Sequence, residues 1–178
     1  MKKFKNYFWV LILIGGILAL ISIFTPVVYH FSSVPPIGFE YYHWMWGLFY
    51  QKWEGVYFDG YLAPIHRLIP HYISRLIPTI LILLSSIILI IMANRLRIGR
   101  KHIKDVGNKL IGLGVMLILA PIIFTVSYNL FSEGYDLFIT YTEYPGFAFI
   151  APFIGGALAI VVGIFSKYKI SEEEKNQY

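Results

Sequence analysis

The chain contains no cysteine and little charge: 14% of its 178 residues are Asp, Glu, Lys or Arg, against about a quarter in a soluble domain. The first absence excludes thiol catalysis, thiolate metal sites, a disulfide scaffold and S-palmitoylation. The second, with 57% hydrophobic residues and a mean hydropathy of +0.64, excludes disorder and a coiled coil. G-x-S-x-G, P-loop, G-x-G-x-x-G, H-E-x-x-H and Asn-x-Ser/Thr patterns are also missing.

Long apolar runs are what the chain does have. A bilayer core of about 30 Å takes about 20 apolar residues as helix. Four runs qualify: about 7–28, 73–93, 110–128 and 146–165. The first follows Lys2, Lys3 and Lys5, as in a signal peptide, but it is too long for an h-region and lacks a small-x-small cleavage site. No Asp, Glu, Lys or His lies near a span centre, which argues against a proton relay or an ion-coupled pump. Arg75, close to the start of the second span, is placed to snorkel toward headgroups.

The net charge of +5 is topological. Twelve of the fifteen Lys and Arg lie in the N-terminal arm, the 94–109 hairpin and the tail; Lys52, Arg67 and Arg75 lie in the alternate segments. The positive-inside rule then puts both termini in the cytoplasm of a multi-pass protein, with the plasma membrane as the expected site. The basic run Arg95 to Lys104 has no aromatics, so nucleic acid is not an expected partner; anionic lipid is.

Small residues recur at helical spacing: Gly155, Ala159 and Gly163 in the fourth span, Gly15 and Ala19 in the first, with Gly112 and Gly114 in the third. Such faces let helices approach closely where lipid gives no hydrophobic drive. Packing inside the bundle is the first use, a homodimer seam the second. Pro78, Pro121 and Pro152 fall inside spans, with Ser85, Ser86, Thr125 and Ser127 as partners for freed carbonyls.

The segment 24–61 carries fourteen aromatics, including Trp44, Trp46 and Trp53. With breaks at Gly47, Gly55 and Asp59-Gly60, it predicts short strands in an antiparallel sheet over the outer helix ends. From Leu62 to Arg75 the pattern turns helical. The aromatics serve either as an interfacial belt or as a partner-binding surface. The expected architecture is membrane all-α: a four-helix transmembrane bundle with a small antiparallel β-sheet in the first extracellular loop, all one domain over 1–178, with that loop at about 29–72. His30, His43, His66 and His71 share the outer side with Glu40, Glu54 and Asp59, but none of the spacings is that of a ligand pair. No metal, cofactor or catalytic residue is expected.

This layout distantly resembles the claudin-like and peripheral-myelin-protein-like tetraspan family. The residues that carry the likeness are Tyr29 after Pro26, Gly47-Leu48-Phe49 in place of the family's Gly-Leu-Trp with Trp46 before it, and Arg75 near the second helix. The ends of the third and fourth spans, Thr125 to Tyr128 and Glu143 with Gly146, are also similar. The family's two loop cysteines have no counterpart here, and the tail lacks its hydrophobic C-terminal ligand. The resemblance implies a non-enzymatic tetraspan protein that makes lateral or cell–cell contacts with a homo- or hetero-oligomeric membrane partner. Trp44, Trp46, Gly47, Leu48, Phe49 and Trp53 would form the contact surface or its support. Arg75 would tie the loop to the helix end through Glu40, Glu54 or Asp59. The same features suit an accessory subunit of a channel or transporter. A third reading is an outer-face enzyme using the histidines and acids.

Overall fold

The computed structural model describes residues 7–32, 39–46, 48–53, 61–64, 69–99, 106–131 and 143–175. Among these are four α-helices and five strands, in the order α1 (Phe8–Ser22), β1 (Val28–Ser32), β2 (Phe39–His43), β3 (Leu48–Trp53), β4 (Tyr61–Pro64), α2 (Ile69–Arg97), α3 (Gly107–Phe131), β5 (Glu143–Pro145) and α4 (Phe147–Lys175). Each helix packs on its sequence neighbour, and α4 closes on α1. The strands form one antiparallel sheet in the order β4-β3-β2-β1-β5.

Among the described residues three helices are long and apolar enough to cross a membrane: Arg75–Arg97 of α2, Gly107–Ser127 of α3 and Phe147–Tyr168 of α4. Helix α1 is apolar but has 15 residues, about 22 Å at 1.5 Å per residue. The expected run over 7–28 therefore ends early. Pro26 lacks an N–H and disfavours helix at Thr25, so the chain turns and enters β1. Val27 and Val28 are fully buried, but beneath the sheet. The expected helix over Leu62 to Arg75 is also corrected: β4 takes up Tyr61–Pro64 and α2 begins at Ile69. The helices run through all three prolines. The hydroxyls of Ser86 and Thr125 bond Leu83 O (2.9 Å) and Pro121 O (3.0 Å), within their own turns and not at proline-freed carbonyls.

Phe124, Ile12, Ile82, Leu89, Leu110 and Leu117 are fully buried in the bundle, and small residues fill the places where the helices come closest. Also inside lie Ala19, Ala93, Ala120, Ala151, Ala159 and several glycines; outside lie branched chains such as Ile17, Ile80, Leu84, Ile122 and Ile154, each at least 40% exposed. Small interior residues let backbones meet, which is how helices associate without a hydrophobic drive. Two glycine pairs form the corners. Gly15 faces Gly155 of α4, while Gly16 faces Ser86 and Ile90 of α2. Gly155 faces α1, while Gly156 faces Gly114 of α3. Consecutive helical residues project about 100° apart, close to the right angle between two neighbours in a square bundle, so one Gly-Gly step serves two interfaces. Gly163 meets Gly107 and Ile111, whereas Gly112 faces open space.

Candidate functional site: the sheet cap and its junction with the helices

The cap is fastened where α1 ends. The last carbonyls of a helix have no intrahelical partner and must be satisfied in some other way. Here the partners can be followed in order. Ser22 Oγ donates to Ala19 O (2.7 Å), and the N–H groups of Ile23, Phe24 and Thr25 take Leu20, Ile21 and Ser22. Ile23 O accepts from the Trp46 indole N–H (2.9 Å) and Phe24 O from that of Trp44 (3.1 Å). Pro26 O accepts from Ala148 N (3.2 Å) and Val27 O from Gly146 N (2.8 Å), which ties the start of α4 to the same corner. Val27 N donates to His43 O (2.7 Å). At Gly146 a side chain would run into the Pro26 carbonyl, so only glycine allows this approach.

The turn after β2 acts as a plug. Trp44 and Trp46 straddle Met45, which is 2% exposed and joins the same buried cluster as Val27, Val28, Phe124 and Ala148. Both tryptophans are therefore placed as supports, with their ring edges partly open: Trp46 is 38% exposed. Replacing Trp46 by Phe keeps an aromatic group, though a smaller one, and deletes the donor, leaving Ile23 O without it. We expect a loss of about 1 kcal/mol, and roughly twice that with Trp44→Phe added, measured as unfolding free energy in detergent micelles.

Beneath the sheet, His43 is 1% exposed and its ring meets Phe124 of α3 edge-on at 5.9 Å. Burial, helped by the facing Arg75 guanidinium, holds its pKa down from the ordinary 6.5 to about 3. Arg75 itself is 5% exposed. It does not snorkel outward; it is tucked under the cap with His43. The expected ties to Glu54 and Asp59 lie outside the described residues. Glu40 has the opposite parity to His43 on β2, so the pleat puts it on the outward face.

The outward face carries a feature that no sequence window shows. The register places Tyr144, Tyr29, Tyr42 and Tyr50 directly opposite one another across β5, β1, β2 and β3, with Leu62 of β4 next in the row. Tyr29 and Tyr144 stack at 5.6 Å, and Tyr42 and Tyr50 are tilted at 5.8 Å. Tyr144 is exposed and the other three are half-buried. The signal available was parity alone, and the four residues are spread over more than a hundred positions.

Of the remaining expected site residues, Leu48, Phe49 and Trp53 are placed on β3 by their backbone, with Phe49 opposite His43 and Trp53 opposite Phe39. Gly47 and His66 lie outside the described residues. His30 sits on β1 opposite Tyr41 and Glu143, and His71 is in the first turns of α2. Among the described residues no three His, Cys, Asp or Glu side chains are grouped to hold a metal. At the far end of the bundle Arg97 lies over the Trp9 ring at 5.4 Å, and Phe8 stacks on Phe165 at 6.5 Å.

Fold and site together define a protein of apolar helices carrying an antiparallel aromatic cap. No protein-family model and no curated protein sequence matches the chain.

Proposed function

We propose that this chain is a four-span plasma-membrane protein with both termini cytoplasmic, claudin-like in layout, whose sheet docks laterally or face to face onto another membrane protein. The observation that carries the reading is the tyrosine row. It is an amphipathic strip on a sheet anchored to the helices, and tyrosine supplies large, stiff contact area at low entropic cost. The uncharged, branched outer surface of the helices supports the membrane placement, since no Asp, Glu, Lys, Arg or His occurs from Phe8 to Ser22, Leu76 to Asn94, Leu110 to Phe131 or Phe147 to Ser166. The short α1 is compatible with spanning through flanking aromatics at the interfaces, such as Tyr7, Trp9, Phe24 and Trp46.

Two measurements test the reading. The cysteine-free background makes thiol labelling clean. Tyr144→Cys should react from outside intact cells, and Tyr168→Cys only after permeabilisation; the reverse would overturn the topology. A photo-crosslinking side chain at Tyr144 should capture a protein adduct in native membranes, weakened about tenfold by Tyr29→Ser with Tyr42→Ser, as loss of interface tyrosines costs more than 1 kcal/mol at hot spots. Monomer alone would sink the docking role, and a transport protein as the adduct would move it to that of an accessory subunit.

A further inference from the structure

At the end of the bundle opposite the sheet, α3 and α4 leave a groove of about 410 Å³ lined by Ile111, Ile164, Lys167 and Tyr168. We propose that it seats one anionic glycerophospholipid of the cytoplasmic leaflet, a reading that rests on the helices spanning the bilayer. The volume falls within the usual range for small-ligand sites, about 300–1,000 Å³.

The groove is graded along the helix axis. Ile111 and Ile164 give it an apolar floor, and one turn nearer the end Lys167 and Tyr168 supply an ammonium and a phenol. A soluble anion has no use for the floor, and a neutral lipid has little use for the lysine. An amphiphile with a phosphate head and acyl tails uses both. The apolar track continues up α3: Gly112, beside Ile111, faces open space, and Val115 one turn on is 41% exposed.

Charge at this level has one sign among the described side chains. Arg95 and Arg97 end α2, Lys109 lies in the first turn of α3, and Lys167 lies on α4. In the sequence from Arg95 to Lys109 six cations accompany one acid, Asp105. The run Glu172 to Glu174 is on α4 more than a turn beyond Lys167. The positive end of the α3 dipole lies at the same level and favours the same headgroup charge.

The test is native mass spectrometry of the delipidated full-length protein in detergent, titrated with dioleoylphosphatidylglycerol, with dioleoylphosphatidylcholine, or with glycerol phosphate. The first phosphatidylglycerol should bind about fivefold more tightly than phosphatidylcholine, the discrimination one lysine supplies near an anionic headgroup. Lys167→Gln should abolish that preference, and Ile164→Trp, a change at an exposed position that fills the floor, should weaken the first adduct of both lipids. Glycerol phosphate should not bind. Equal affinity for the two lipids, a preference that survives Lys167→Gln, or equal binding of glycerol phosphate would each overturn the proposal. Thiol labelling separates this failure from that of the parent reading: if Tyr144→Cys and Tyr168→Cys label from the same side, the spanning model falls as well.

Discussion

Replacing Gly155 by leucine should prevent the four helices from assembling, and even Gly155→Ala should cost about 3 kcal/mol, at the upper end for an overpacked core. A Cβ on Gly155 would lie 2.6 Å from the Gly15 carbonyl oxygen, and one on Gly15 would lie 3.0 Å from that of Gly155. The obstacle is backbone on both sides, so no rotamer change relieves it, and the helices must separate along their whole crossing. Gly156 is under the same constraint from the other direction, with Gly114 O 2.6 Å from its added Cβ. Alanine at both positions should therefore prise α4 from α1 and α3 together, and its cost should exceed that of either single change. Gly112→Ala is the matched control. It meets nothing within 4 Å and should be neutral or gain up to about 1 kcal/mol from helix propensity. Unfolding in mixed detergent micelles reads all five variants. If Gly155→Ala and Gly112→Ala proved equally tolerated, the close crossing of α1 and α4 at Gly15 and Gly155 would be wrong.

The glycine positions were legible because spacing on a helix is a property of the chain alone. Gly15 and Ala19 on one helix, and Gly155, Ala159 and Gly163 on another, could be named as close-packing faces, although which helix each faces could not. The long apolar helices were legible for the same reason: a run of Leu and Ile free of charge is its own signal. The end of α1 was misread because hydropathy sums Val27 and Val28 with the preceding residues and cannot distinguish a side chain facing lipid from one buried under a sheet. The single residue that carried the correct answer was Pro26. The sheet could be expected from aromatics and turn residues, but not its register, which is a relation between segments. That is why the tyrosine row, assembled from Tyr29, Tyr42, Tyr50 and Tyr144, did not emerge, and why β5, three residues between α3 and α4, was not expected in the sheet. His43 and Arg75 were both noticed separately. Their meeting under the cap depends on β2 parity and on where α2 starts, and neither is visible until the strands are paired.

Acidification should loosen the cap, through His43. Its folded pKa is about 3, against 6.5 when exposed, so the opened state binds a proton that the closed state refuses. The stabilisation from a neutral, buried His43 is complete above pH 6.5 and is lost as pH falls from there toward 3, by at most about 1.4 kcal/mol for each pH unit. Between pH 7 and pH 4.5 the loss from this residue is about 2.5 kcal/mol. Among the described residues, Phe124 from α3 meets the ring and is neutral, and Arg75 from α2 adds a like charge beside the imidazolium. His43→Leu should remove this component, so the difference between its stability curve and that of the parent isolates His43 from every other titrating group. Arg75→Gln should keep the acid sensitivity, since burial is the larger cause, but should raise the lower end of the curve as the repulsion is lifted. Fluorescence of Trp44 and Trp46 is the natural readout, because both indoles are held to the α1 carbonyls only while the cap is seated. An acid-induced change that persists unaltered in His43→Leu would place the sensitivity elsewhere.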